Sequence, residues 1–305
     1  VTAHLPVSVA LEGLGWHPEA WRHSPAGASV LDGGYWAGLA ATAERGLLDF
    51  VTFDDGLTPQ RRRRPEVDPR WLAGRPDAFL VAARVVTATT HLGLVPVATV
   101  THTPAPEIAA AVAALDELSG GRSGWQPRIS TTAYEAALFG RPPSTGDPFT
   151  PASDVVAEVR AECPRPVVAA LAHNRRVYEF ASHAADLVFV TPRDDGAVST
   201  ILGEVADSGG GVRVYADVFV SSTHVLDERS DAYVFDGDAA ELVDLMLRWN
   251  RLGVDGFRLR PSVNVVDVPF IVDEVTPLLR SAGRFRSNYS ESQTLRQRLV
   301  HQGAP

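Results

Sequence analysis

Polar residues gather just after short, apolar, Val-rich runs in this chain. Trp16, His17, Trp21 and Arg22 follow the run at 7–11, and Asp54 and Asp55 follow Phe50–Phe53. Thr99, Thr101, His102 and Thr103 close the run that starts at His91. Gln126 sits in the next one, His173 and Asn174 follow Val167–Leu171, and Arg258 and Arg260 lie in the last. Such a ring is aromatic, amide- and hydroxyl-rich, with few carboxylates, which suits a large, planar, hydrogen-bonding ligand better than a divalent cation. His17, His102 and His173 could converge on a metal, but no HxH or HExxH spacing links them. A glycosidase needs two opposed carboxylates. Asp54 and Asp55 are adjacent and would point apart on a strand end, leaving Glu12 as the second partner. His102 and His17 are the candidates for proton transfer.

Residues this far apart in sequence meet only if the fold gathers the ends of its runs. Eight apolar runs, the last at Gly256–Leu259, each precede a helix-period segment or a possible one. The helical patterns lie at Tyr35–Leu48, Ala78–Thr89, 104–118, Asp154–Glu162, Arg175–Ala184, Ala197–Ala206, Ala239–Leu252 and Val268–Leu279. Continuous rather than alternating apolar character marks strands buried on both faces, hence a parallel sheet. Eight such units predict one (β/α)8 barrel spanning residues 1–305, with its site where strands end. An open doubly wound sheet would place a GxGxxG turn after its first strand; Glu12-Gly13-Leu14-Gly15-Trp16 lacks the third glycine.

Composition narrows the chemistry further. Of 305 residues, 28 are basic and every one is Arg. Without Lys there is no Schiff base, P-loop or kinase-type lysine. A formal net charge of -9 argues against nucleic acid. The run Arg61–Arg64 reads as a solvated loop, with a phosphate or carboxylate clamp as its functional alternative. The lone Cys163 excludes a disulfide framework and reads as a packed thiol. The start, Val1-Thr2-Ala3-His4, has no signal-peptide pattern and no Met, and no run is long enough to span a bilayer. A cytoplasmic protein is expected, with some leading residues missing.

Three blocks carry a family resemblance. The first runs through Gly15-Trp16-His17-Pro18, Trp21-Arg22, Tyr35-Trp36, Ala43-Glu44-Arg45-Gly46 and Asp49 to Asp55. The second is Ala98–Pro106 with Leu115-Asp116-Glu117-Leu118-Ser119-Gly120-Gly121-Arg122-Ser123-Gly124-Trp125-Gln126. The third runs from Gly256 through Gly283-Arg284-Phe285 and Tyr289 to Arg296. Together they resemble the luciferase-like flavin-dependent monooxygenases, in the branch of the nitrilotriacetate, dibenzothiophene sulfone and alkane enzymes. The second block resembles that branch's "LDxLSGGRxGWN" signature.

The resemblance implies a TIM barrel with a C-terminal arm that uses reduced FMN and O2 to oxygenate a small organic substrate. It also implies a separate flavin reductase and a homodimer or larger homo-oligomer, for which the arm from Arg284 is the candidate. By position, Asp55, Thr101 and Gln126 correspond to flavin-ring contacts, Asn174 to the residue that holds the phosphate, and Thr99 and His173 flank them. The chain departs from the pattern in places. No "RYxxxxE" segment follows the fourth strand, where Tyr134–Val156 is short and Pro-rich. The region 221–235 is abbreviated, and Val177 and Tyr178 replace the Gly and Arg expected after the phosphate residue. Two other readings keep the barrel: an F420-dependent hydride-transferring oxidoreductase, and a non-catalytic flavin-binding barrel.

Overall fold

The computed structural model describes residues 4–25, 28–57, 75–143, 146–290 and 293–300. The run Arg61–Arg64 lies outside them. The strands are β1 (Val7–Leu11), β2 (Phe50–Phe53), β3 (Gly93–Thr99), β4 (Gly124–Arg128), β5 (Val167–Ala172), β6 (Leu187–Val190), β7 (Arg213–Ser221), β8 (Tyr233–Asp236) and β9 (Gly256–Pro261). Their order, β6-β5-β4-β3-β2-β1-β9-β7, is closed by β6 pairing with β7, and every pairing is parallel. Among the described residues eight strands thus form a closed barrel, the same eight runs that the Val-rich pattern marks. The helices are α1 (Gly33–Arg45), α2 (Ala78–Val86), α3 (Ala105–Ser119), α4 (Ala133–Leu138), α5 (Phe149–Glu162), α6 (Arg175–Ala184), α7 (Asp195–Asp207), α8 (Ala239–Leu252), α9 (Asn264–Phe270), α10 (Thr276–Ser281) and α11 (Leu295–Leu299).

The ninth strand, β8, falls in the region that reads as abbreviated. It pairs with residues 218–221 of β7, while β6 pairs with residues 213–216. Since β9 runs along residues 215–220, β6 and β8 must share the other edge. β8 therefore continues the line of β6 upward and raises the rim on that side.

Alternation along each strand separates two environments. Val7, Val9 and Leu11 of β1, with Phe257 and Leu259 of β9, pack outward in one layer with α1, α8 and α10. Trp125, Val168, Ala170 and Val188 pack with α3, α5, α6 and α7. The opposite parity fills the barrel: Phe50, Val95, Val167, Ala169, Leu187, Phe189 and Tyr215 form the inner cluster. Leu295 and Leu299 of α11 complete that cluster from the base. The close approach explains Gly93, where a Cβ would lie 2.5 Å from Leu295 Cδ1. The arm is tied along its length, from Leu5 N–H donating to Arg284 O to Arg296 pairing with Asp186 at 2.7 Å. The described residues of the arm, 284–290 and 293–300, make these contacts with their own barrel.

A repeated device registers the strand starts. Asp49, Asp186 and Asp255 each immediately precede a strand. Each carboxylate accepts a backbone N–H from the first or second residue of a neighbouring one: Val7 at 2.9 Å, Val168 at 2.8 Å and Val214 at 2.8 Å. Burial works to raise the Asp49 carboxyl, but Arg286 and His4 overcome it and hold it at about 2. The glycine-rich signature also serves this end. Arg122 is buried, and its guanidinium donates to the Ser119, Leu92, Thr89 and Val86 carbonyls and to Thr89 Oγ1. These carbonyls include the C-terminal turns of α2 and α3, where a cation is favoured by the helix dipole. Gly120, at φ 64°, supplies the left-handed residue that ends α3. No helix among the described residues is long and apolar enough to cross a membrane.

Candidate active site

At the other end of the barrel, the C-terminal ends of the strands surround a cavity of about 810 Å3. The sequence places polar side chains there by parity. Gln126 and Arg128 face in from β4, while Trp125, just before Gln126, is buried outward. Arg258 and Arg260 face in from β9, two residues apart on one face. Trp16, Leu171, Phe180 and Phe219 supply apolar wall.

The floor is ionic. Asp217, in the middle of β7, is fully buried, and Arg258 and Arg260 are 2% and 1% exposed. Both guanidiniums converge on it, Arg258 Nε at 2.7 Å from Oδ1 and Arg260 Nε at 2.8 Å from Oδ2. Two charges facing one would leave a buried excess, and neighbours take it up. Arg258 donates to Gln126 Oε1 at 3.1 Å and lies 3.8 Å over the Phe189 ring. Arg260 donates to Asp231 Oδ1 at 2.6 Å and lies 4.4 Å over Trp16. Every functional group on the floor is therefore locked by another.

One wall carries Glu12, Asp54 and Asp55. Arg75 pairs with Glu12 and lies 4.0 Å from Asp54. Burial pushes the Asp55 carboxyl up, and Asp77 and Asp54 add to it. Both aspartates line the cavity although they are adjacent, because they follow the end of β2 rather than alternate within it. At the end of β4, two strands round from β2, Arg128 pairs with Glu135 at 2.6 Å and donates to Thr99 Oγ1 at 3.2 Å. Glu12, Asp54, Asp55, Glu135, Asp227 and Asp231 all reach the lining. The mouth is richer in carboxylates than its sequence suggests.

The predicted residues divide. Asp55, Gln126 and His173 line the large cavity. Thr101 and His102 line an adjoining one of about 260 Å3, which shares Ser130, Thr131 and Thr132 with it. Thr99, Asn174 and His17 line neither. Thr101 Oγ1 accepts the Ser130 N–H at 2.9 Å and so sets the wall between the two spaces. Asn174 caps α6 through the Val177 N–H, and Tyr178 turns into the outer core. His102 stacks on Phe139 with centroids 4.5 Å apart, and neither ring nitrogen has a hydrogen-bond partner among the described residues. Burial, then Arg141, lowers its pKa. His17 accepts the Glu19 N–H on Nδ1 at 3.1 Å, and burial lowers it as well.

Sequence reasoning missed Asp217, Asp231, Arg75 and Ser130. Asp217 left a signal: it is a carboxylate inside the apolar run 212–220, at the parity of Tyr215 and Phe219. A charge there demands a buried partner, and Arg258 and Arg260 already stood out. Arg75 and Asp231 sit in loops with no periodicity to read.

No family model matches the chain. It is 36% identical over 138 residues to N-acetyl-S-(2-succino)cysteine monooxygenase of Bacillus subtilis (strain 168), covering 44% of this chain and 30% of that protein. It is 36% identical over 126 residues to dibenzothiophene-sulfone monooxygenase of Rhodococcus erythropolis, covering 40% of this chain and 28% of that one. The aligned stretch thus spans less than a third of either relative. In structure it matches EDTA monooxygenase from Chelativorans sp. BNC1 with a TM-score of 0.81 and 17% identity, over 97% of this chain and 98% of that chain. These homologues and this structural neighbour are monooxygenases of the luciferase-like branch that the sequence resembles.

Proposed function

We propose that the barrel is a flavin-dependent monooxygenase that takes reduced FMN from a separate reductase and, with O2, oxygenates a small organic substrate. The observation that carries this reading is the cavity at the strand ends, which pairs apolar faces with a polar edge. Its volume is in the range of cofactor sites. Two features fit a planar heterocycle with hydrogen-bonding edges. Ser130 Oγ is buried on the wall with no partner among the described residues. Gln126 spends its carbonyl on Arg258 and, among the described residues, donates nothing with its amide nitrogen.

Gln126, Asp55 and Ser130 would hold the polar edge of the ring, and Trp16, Leu171 and Phe219 its faces. Asn174 and the first-turn N–H groups of α6 would take the phosphate, with Arg175 and Arg176 adding positive charge. When bound, reduced FMN supplies the electrons that activate O2; the chain orients the reactants and excludes water. Thr99 and Thr101 act through Arg128 and Ser130, which they fix in place.

Titration of the protein with FMN, oxidised in air and reduced under argon, tests the reading. Quenching of flavin fluorescence and binding of the reduced form at micromolar concentrations are the expected results. No binding of either form at high micromolar levels overturns it. Tight binding of F420 without O2 consumption moves the assignment to a hydride-transferring oxidoreductase.

A further inference from the structure

His173 is the one histidine among the described residues on the wall of the large cavity. It stands immediately after β5, and its surroundings come from three other parts of the barrel. Its Nδ1 lies 3.2 Å from Thr191 Oγ1, just past the end of β6. The same atom lies 3.6 Å from Asp231 Oδ2, in the segment that precedes β8. The other carboxylate oxygen of Asp231 accepts from Arg260, which is itself held by Asp217. A chain of contacts thus runs from the strand-borne ionic floor through the Asp231 loop to one imidazole nitrogen.

The Asp231 carboxylate can only accept and the Thr191 hydroxyl can accept, so both contacts favour the tautomer with its proton on Nδ1. Nε2 is then the bare lone pair left for the cavity. We infer that His173, oriented by Asp231 and Thr191, is the proton-transfer residue of this cavity. The inference rests on the proposed reaction only in taking the cavity as the reaction site.

The step moves a proton from an O–H or N–H of the bound ligand to Nε2, with no change in electron count. The imidazolium so formed keeps its Nδ1–H toward Asp231, and Nε2 then returns the proton to product or to water. The charged groups around the ring are Asp231 from the β7–β8 segment, Asp217 from β7, and Arg260 and Arg258 from β9. Burial lowers the imidazole below its ordinary value; Asp231 and Asp217 oppose this and the two arginines add to it. The ring is therefore neutral near pH 7 and able to accept a proton.

Two measurements test this. The first follows the His173 imidazole by NMR through a pH titration of the flavin-free protein. Asp231→Asn should move its midpoint down by about 0.5–1 unit, since a raising charge is lost. Thr191→Val should leave the charge balance intact and shift it less. A His173 midpoint that does not respond to Asp231→Asn overturns the pairing.

The second follows reoxidation of bound reduced FMN by O2 as a function of pH. His173→Gln should lose the acid limb of the wild-type profile and slow the reaction about tenfold or more at pH 7, with FMN affinity within about threefold of wild type. A retained acid limb in His173→Gln overturns the role. Failure of the wild type to bind reduced FMN sinks the oxygenase reading instead, and the NMR titration still decides the pairing.

Discussion

The two ends of this barrel use the same residue types to opposite purposes. At the base, Asp49, Asp186, Asp255 and Arg122 all bond to backbone groups, N–H groups at strand starts for the aspartates and carbonyls around helix ends for the arginine, with cationic side chains also pairing to the aspartates. At the mouth, Arg258, Arg260, Asp217 and Asp231 spend themselves on one another and leave side chains facing a cavity. A charge bonded to backbone stabilises chain geometry. A charge bonded to another side chain, beside open space, holds an electrostatic environment ready for a ligand. The glycine-rich signature that carries much of the family resemblance lies almost wholly at the base. Only its last residue, Gln126, reaches the site.

The contrast breaks first at Arg122. Arg122→Ala leaves four backbone carbonyls short of a donor and removes a cation from two helix ends, so a loss of about 3–4 kcal/mol is expected in urea unfolding. FMN binding per folded molecule should be unchanged. A loss under about 1 kcal/mol would mean that water replaces the guanidinium and that the base is not the stabilising end.

Acid sharpens the same comparison. The folded Asp49 carboxyl titrates at about 2, below its unfolded value of about 4. Its contribution of about 2 kcal/mol is therefore complete above pH 4 and is lost as the pH falls through 2. Asp49→Asn should flatten the unfolding free energy across that window; an unchanged acid slope removes Asp49 from the account.

The smallest effect is expected at the mouth and has the opposite sign. The Asp55 carboxyl is raised by burial and by Asp77 and Asp54, so its ionised form costs stability at neutral pH. Asp55→Asn should stabilise the protein by up to about 1 kcal/mol at pH 7, with the gain shrinking as the pH falls. The same change should weaken binding of reduced FMN severalfold. A destabilised Asp55→Asn would place that residue with the structural charges.

Much of the frame was legible because burial on both faces writes a strand as an unbroken apolar run. β3, β5 and β6 are such runs, while β4, β7 and β9 interrupt theirs with polar or charged residues that turn to the interior. β8 escaped because Tyr233–Asp236 is four residues long and half exposed, with neither continuity nor alternation to mark it. The cavity lining was legible where a polar residue lies at or just past the end of a strand, as with Asp55, Gln126 and His173. It was hidden where partnership decides the role. Asp217 makes sense only beside two arginines some forty residues later. His173 differs from His102 and His17 by what faces its ring, and no spacing records that.

The leucines of α11 have one more consequence. The segment that stoppers the cylinder from below, α11, follows all nine described strands in sequence. A nascent chain with all eight strands emerged would still have a hydrated shaft beside Phe50, Val95 and Tyr215. Closure of the inner apolar cluster thus waits for α11 to seat after these strands have paired.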